Sequence, residues 1–268
     1  MNSRKPITLH RLQQMHAASE KIAMLTCYDA TFAHILDAAG VDVLLVGDSL
    51  GMVLQGHSTT LPVSIDEMIY HTESVARGNR TAWLIADMPF CAYRDSVPAA
   101  IHNAVRLMQA GAHMVKLEGG GWTAPIVQAL TERGIPVCGH LGFTPQSMHA
   151  LGGYRVQGRE ESGAKRLRQE ANELIAARAS LLVIEMIPAA LAQDLARTLP
   201  VPLIGIGAGV ECGGQVLVLH DMLGVSLSKT PRFVRNFLEG AANIESAVRQ
   251  FVLDVKAARF PDDAQHAF

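Results

Sequence analysis

Four acidic side chains, Asp48, Asp87, Glu118 and Glu185, each stand at or next to the end of a short apolar run, in VDVLLVGDS, AWLIADMP, HMVKLEGG and LLVIEMIP. A carboxylate abutting a core costs several kcal/mol unless it is paired or metal-bound, so four in equivalent places point to an active site. Three carboxylates with no clustered His or Cys form an oxygen-rich donor set. Such a set favours a hard divalent ion, Mg²⁺ first, which keeps waters and leaves positions open for a chelating substrate; it disfavours zinc. Lys116 precedes Glu118 by two positions, and side chains two apart on a strand share a face. Lys116 and Glu118 should therefore point inward together, with Val115 and Leu117 turned to the other side, so that Lys116 pairs with Glu118, anchors a substrate anion, or does both. His140 in CGHLG and His57 in LQGHSTT can also reach such a pocket. A lone histidine is more often a hydrogen-bonded structural residue, and that is the reading taken for each.

The elements that must position these groups follow from hydrophobic period. Eight runs rich in Val, Ile and Leu read as buried parallel strands: 22–27, 41–47, 82–86, 113–117, 135–139, 180–184, 202–206 and 215–219. Amphipathic helical patterns lie at about 30–39, 64–77, 97–110, 122–133, 160–178 and 188–198, and two more, 231–239 and 242–256, follow the last strand. Gly40, Gly78, Gly111 and Gly134 each follow a helical pattern where a left-handed cap is wanted, and Ser64 with Glu67 has capping-box spacing. Strand and helix alternate without a linker. The expected fold is one eightfold parallel β/α barrel domain over residues 1–268, with an extra helix at about 7–17 closing one end and the barrel at about 20–260. Without the eighth strand the same elements would make a doubly wound open sheet, its site again at the strand carboxyl ends. On either fold the four acids converge. The glycines of GIGAG, 205–209, follow strand seven, where barrels often hold phosphate, although close backbone packing explains them equally well, as it does Gly119, Gly120 and Gly121.

Composition excludes several classes. The 268 residues are 49% hydrophobic and 18% charged with a formal net charge of −2, enough for a large core and too little basic charge for a nucleic-acid footprint. The densest basic cluster, Lys165, Arg166 and Arg168, lies in a helical stretch and reads as a solvated face. No apolar run approaches the roughly 18 residues that span a bilayer, and the amino terminus lacks the apolar core of a signal peptide, so a cytoplasmic protein with no membrane partner is expected. Cys27, Cys91, Cys138 and Cys212 show no C-x-x-C pair and read as reduced thiols.

Longer blocks carry a resemblance. VGDSLGM (46–52), the QGH and TTLPV segments around 55–63, ADMPF (86–90), GAHMVKLEGG (111–120), PVCGHLGFTPQS (136–147), GGYRVQGR (152–159), IGIGAG (204–209) and LHDMLG (219–224) are similar to the ketopantoate hydroxymethyltransferases. The similarity runs from about residue 5 to about residue 260. It implies an eightfold β/α barrel, Mg²⁺, and transfer of a one-carbon unit from 5,10-methylenetetrahydrofolate to 3-methyl-2-oxobutanoate, giving ketopantoate for pantothenate and coenzyme A synthesis, in a large homo-oligomer. By the same resemblance Asp48, Asp87 and Glu118 match metal-site acids, Asp48, Ser49, Asp87 and Lys116 the residues that hold the oxo acid, and Glu185 the catalytic base. Met186 and Ile187 stand where Cys and Val are expected after the base, and Ser58 replaces an acid in the loop after strand two.

The residues support that chemistry. A 2-oxo acid chelates Mg²⁺ through its keto and carboxylate oxygens, and the ion stabilises the enolate formed when C3 loses its proton. Glu185, left uncoordinated, can serve as the general base. Two other readings fit the same acids: another Mg²⁺-dependent barrel that makes or breaks a C–C or P–C bond beside an oxo acid, or a non-catalytic barrel that binds an oxo acid.

Overall fold

The apolar runs become eight strands: β1 (Ile22–Thr26), β2 (Val43–Val46), β3 (Trp83–Asp87), β4 (Met114–Glu118), β5 (Val137–Gly142), β6 (Leu181–Glu185), β7 (Leu203–Ile206) and β8 (Gly214–Leu217). The structure is a computed structural model that describes residues 4–227 and 230–268. Each strand pairs in parallel with the next and β8 returns to β1, closing the barrel. Observed strand limits lie within three residues of those read from the sequence. The seam joins Ile22 to Gly214 and Leu25 to Leu217. Gly214 is required there by close approach, since a Cβ on it would lie 2.3 Å from the Ile22 carbonyl oxygen. Just beyond the seam the Leu219 N–H donates to Thr26 Oγ1, at 2.8 Å.

Helices Ala30–Ala39, Ile65–Gly78, Val97–Gln109, Ala124–Thr131, Glu161–Ala176, Ala189–Thr198 and Ile244–Lys256 surround the sheet. Six of them each bury a residue of one apolar stripe, at Leu36, Val75, Leu107, Leu130, Leu174 and Leu195, against the outward faces of the strands. Each such burial contributes about 1.5–3 kcal/mol. Ser64 and Glu67 form the expected capping box, and Gly40, Gly111 and Gly134 take positive φ at helix ends. Gly78 does not. It is the last residue of its helix, and a Cβ there would meet the Ala30 carbonyl oxygen at 2.1 Å, so it serves close helix packing. The four cysteines are free thiols, and no helix among the described residues is long and apolar enough to cross a membrane.

The pattern at 231–239 forms no helix. Among the described residues no helix lies between Met222 and Ile244; turns carry Phe233, Val234 and Phe237 into the core, and Phe237 packs edge-on against Phe251 and Phe260. Apolar anchors three and four residues apart imitate a helical stripe when a loop is pinned at those points.

Helix Leu9–Ala17 closes the amino-terminal end of the barrel. Leu12 and Met15 are fully buried, the Ile7 N–H donates to the Thr81 carbonyl ahead of β3, and Arg4 Nη2 lies 2.5 Å from Asp42 Oδ1. Asp42 also accepts the Ala23 N–H and pairs with Lys256 at 2.6 Å. Function is left to the opposite, carboxyl end.

Candidate active site

Asp87, Glu118 and Glu185 are the last residues of β3, β4 and β6, and Asp48 follows β2 by two positions. His140 lies within β5, in register with Glu118. All five are buried, and together with Lys116 they line the floor of one cavity of about 910 Å³. Lys116 and Glu118 both face that cavity, while Val115 and Leu117 do not line it.

Lys116 pairs chiefly with Asp87, not with Glu118. Its Nζ lies 2.6 Å from Asp87 Oδ1 and 3.9 Å from Glu118 Oε1. The register sets Asp87 directly beside Lys116 on the adjoining strand. Neighbouring strands are about 4.8 Å apart, whereas residues two apart on one strand are separated by about 6.6 Å, so the cross-strand partner is nearer. The 2.6 Å contact is a close pairing of an ammonium with a carboxylate oxygen.

A frame of neutral groups holds the acids, and the sequence reading missed it. The Gln146 backbone N–H donates to Glu118 Oε2 and its Nε2 donates to Asp48 Oδ2, both at 2.9 Å, with the Met88 carbonyl as a further acceptor of Nε2. The Tyr93 hydroxyl accepts the Glu118 N–H at 3.1 Å and donates to Gln146 Oε1 at 2.6 Å. Asp87 Oδ2 accepts the Asp48 N–H at 3.2 Å. Ser49 lines the cavity with its Oγ 2.9 Å from the buried Tyr28 hydroxyl. Gln146 lies in a short 3₁₀ turn, Pro145–Ser147, after β5 and Tyr93 in the loop after β3, and the only signal of the first was its place in the PVCGHLGFTPQS block.

His140 joins two acids. Its Nδ1 is 3.3 Å from Glu118 Oε1 and its Nε2 is 3.2 Å from Glu185 Oε2. Both contacts favour a protonated ring. Burial and Lys116 disfavour the imidazolium, yet Glu118 and Glu185 outweigh them and push the His140 pKa up to about 9. Burial, then Asp87 and Glu118, hold the Asp48 carboxyl well above the usual range. Burial also raises Asp87 against the opposing charge of Lys116, and Glu185 against that of His140. Glu118 alone goes down: burial would raise it, but His140, Lys116 and the Gln146 N–H prevail. Lys116 is stabilised as a cation, since the surrounding carboxylates exceed the cost of burying it. Were all four acids ionised, Lys116 and a protonated His140 would leave two negative charges uncompensated, and that repulsion is part of what raises Asp48.

His57 is placed on the cavity rim, exposed, beside exposed Ser58. The glycine runs serve packing: a Cβ on Gly205 would meet Cys212 Sγ at 2.7 Å, one on Gly207 the Phe233 ring at 2.8 Å, and one on Gly120 the Glu170 carboxyl at 2.2 Å. Among the described residues no three His, Cys, Asp or Glu side chains form a ready-made metal chelate.

Fold and floor together define a β/α-barrel enzyme that works on a small molecule at the carboxyl ends of its strands. Over residues 6–263 the chain matches the family model described as ketopantoate hydroxymethyltransferase, and it belongs to that family, as a transferase. It is 60% identical over 270 residues to the 3-methyl-2-oxobutanoate hydroxymethyltransferase of Paracidovorax citrulli (strain AAC00-1), covering 99% of this chain and 91% of that one. It is 58% identical over 272 residues to the enzyme of that name from Albidiferax ferrireducens (strain ATCC BAA-621 / DSM 15236 / T118), covering 100% and 92%. Among solved structures, 2,3-dimethylmalate lyase, a PEP mutase/isocitrate lyase superfamily member, shares the fold with a TM-score of 0.58 at 17% identity, over 82% of this chain and 84% of that one.

Proposed function

We propose that the chain transfers a hydroxymethyl unit from 5,10-methylenetetrahydrofolate to 3-methyl-2-oxobutanoate through an enolate, forming 2-dehydropantoate (ketopantoate) for pantothenate and coenzyme A synthesis in the cytoplasm. Membership of the family supports the activity. The observation that carries the residue roles is the asymmetry among the four acids. Gln146 holds Asp48 and Glu118, and Asp87 is held by Lys116 and the Asp48 N–H. Among the described residues Glu185 has His140 alone as a close charged partner, and its side chain keeps 11% exposure where those of Asp87 and Glu118 keep 4% and 2%. Glu185 is therefore the base, and Asp48, Asp87 and Glu118 are assigned to Mg²⁺.

The donor set fits that ion. It is all oxygen, and its three acids together with Glu185 outnumber the two cationic partners, Lys116 and His140. The three acids do not stand as a ready-made chelate, so holding the ion would require them to draw closer, with water and substrate oxygens taking the remaining positions. When bound, the ion would supply the Lewis acidity that stabilises the enolate oxygen of the oxo acid.

The chain's own residues do the rest. Lys116, a compact ammonium among carboxylates, faces the carboxylate of the oxo acid. Ser49 Oγ, set by the Tyr28 hydroxyl, offers that acid a hydrogen bond, and Asp48 and Asp87 border the same position. Glu185 accepts the C3 proton, with His140 Nε2 at 3.2 Å stabilising its ionised form beforehand. Water breaks both C–N bonds of the methylene bridge, each folate nitrogen leaving with its electron pair and taking a proton, and C3 forms the C–C bond to the formaldehyde-level carbon so released, whose water-derived oxygen takes the proton from Glu185 to become the hydroxyl. The working assembly is a large homo-oligomer, as the family resemblance implies; exposed Trp122 and Tyr70 offer apolar surface for it, and light scattering checks its mass. A coupled assay with 3-methyl-2-oxobutanoate and methylenetetrahydrofolate, with and without Mg²⁺, tests the reaction. No ketopantoate with both substrates and metal present would refute it.

A further inference from the structure

The cavity is much larger than the oxo acid needs. At about 910 Å³ it lies near the top of the roughly 300–1,000 Å³ range that encloses drug-sized ligands, whereas the oxo acid has eight non-hydrogen atoms. Its upper wall is apolar and aromatic, with Tyr154, Met186, Phe233 and Phe268 among its lining. The Phe233 and Phe268 rings meet edge to face at 6.5 Å. One permanent cation other than Lys116 lines the space among the described residues, and it is Arg232.

Arg232 is pinned but not neutralised. Its Nε donates to the Gln265 carbonyl at 3.0 Å and its Nη2 to the Ala264 carbonyl at 3.1 Å, while the guanidinium carbon stands 5.9 Å from the centre of the Phe268 ring. These contacts fix the guanidinium and leave the Nη1 N–H groups without a protein acceptor among the described residues. Arg235, three residues on, is by contrast consumed in an ion pair with Asp254 at 3.0 Å. No carboxylate of the described residues lies within ion-pair distance of Arg232. A cation held by backbone carbonyls on the wall of a large cavity, with one edge free, has the form of an anion receptor.

We infer that Arg232 binds the glutamate carboxylate of the one-carbon donor, so that the Phe233 and Phe268 side of the cavity is the donor subsite; this rests on the folate-dependent transfer proposed above. The donor's reacting methylene lies at its pterin end and must reach the floor beside Glu185. Its aminobenzoyl-glutamate tail then extends along the wall toward the mouth, where Arg232 meets a carboxylate and the aromatic rings meet the benzoyl group. Arg232 is thereby a specificity residue for the donor and has no part in deprotonation.

The test compares two donors, 5,10-methylenetetrahydrofolate and the corresponding methylenetetrahydropteroate that lacks glutamate, on the wild-type holoenzyme, Arg232→Met and Arg232→Lys. The expected result is that wild type has a donor KM about 5–10-fold lower for the glutamylated compound, between an exposed ion pair and a charge-assisted hydrogen bond in size. Arg232→Met should erase that preference by raising the KM of the glutamylated donor alone, and Arg232→Lys should restore part of it. A role in loop structure would raise both donor KM values together, and that result overturns the inference. So does an Arg232→Met variant that still discriminates, or a wild type indifferent to the glutamate. A wild type that transfers from neither donor would overturn the folate reaction itself, which separates the two failures.

Discussion

Replacing Glu185 by Gln isolates the proton-transfer step. Deprotonation at C3 needs only the base and the bound oxo acid, so the wild-type enzyme with Mg²⁺ and no folate should exchange the C3 hydrogen of 3-methyl-2-oxobutanoate with solvent deuterium, followed by proton NMR. The amide keeps the size of the carboxylate and its position 3.2 Å from His140 Nε2, but it cannot accept the proton. A positioned general base is worth roughly 10²–10⁴ in rate. The surroundings place this case in the upper half of that range. Asp48 and Glu118 are tied to Gln146 and Asp87 to Lys116, so no neighbouring acid is free to take over. Exchange and overall transfer should both fall by about 10³–10⁴, with the oxo acid bound nearly as before by titration. Exchange at the wild-type rate in Glu185→Gln would refute the reasoning and move the role to a water or to His140.

Lys116→Met keeps an apolar stem while removing the charge, and should raise the oxo-acid KM by at least about tenfold; an unchanged KM beside a greatly lowered Tm would mean that Lys116 only pairs with Asp87. Gln146→Leu strips the Nε2 hydrogen bond from Asp48 while leaving the backbone N–H to Glu118 in place and every proposed metal ligand untouched, and should weaken Mg²⁺ binding by roughly 10-fold in a titration, the low end for loss of an outer hydrogen-bond partner. An unaltered affinity would remove Gln146 from the metal site. Chelator should abolish turnover and added Mg²⁺ restore it, and full activity after exhaustive stripping would end the metal assignment. The same acids set a pH dependence. Folding raises the carboxyls of Asp48, Asp87 and Glu185, so the folded state holds their protons more tightly and the metal-free protein loses stability as pH rises above their ordinary values near 4. His140, raised to about 9, acts in the same direction: its contribution is complete below about 6.5 and fades as pH passes 9. The rise in Tm caused by Mg²⁺ should therefore grow between pH 6 and 8, and a shift independent of pH would contradict the charge balance drawn for this floor.

The barrel was legible because each strand is a short, largely apolar run and each acid stands at or next to the end of one, which in a parallel sheet fixes the end on which the acids gather. Inward pointing of Lys116 and Glu118 followed from the two-residue period of a strand. The ionic partner of Lys116 did not, since it depends on the register between β3 and β4, which no local pattern encodes. Gln146 and Tyr93 were invisible for a related reason: a neutral side chain in a turn or loop gains its meaning only when the fold brings it against a carboxylate. His140 was read as able to reach the pocket, with a structural role as the default; its place between two acids of the floor depends on the alignment of β5 with both β4 and β6, which emerges only in three dimensions. The aromatic anchors at 233 and 237 were misread as a helix face, since spacing alone does not separate a pinned loop from a helix.

The seam between β1 and β8 also bears on how the chain is made. Thr26 and Leu219, bonded across it, are 193 positions apart. During synthesis β1 emerges early and its outer edge has no partner until nearly the whole chain has left the ribosome, an interval of about 10–40 seconds at 5–20 residues per second. Throughout that time an apolar strand edge is open to pairing with other chains. Gly214→Ala, which presses a methyl group onto the Ile22 carbonyl at the closing step, should therefore lower the yield of soluble protein from cells more than it lowers the activity of the molecules that do close.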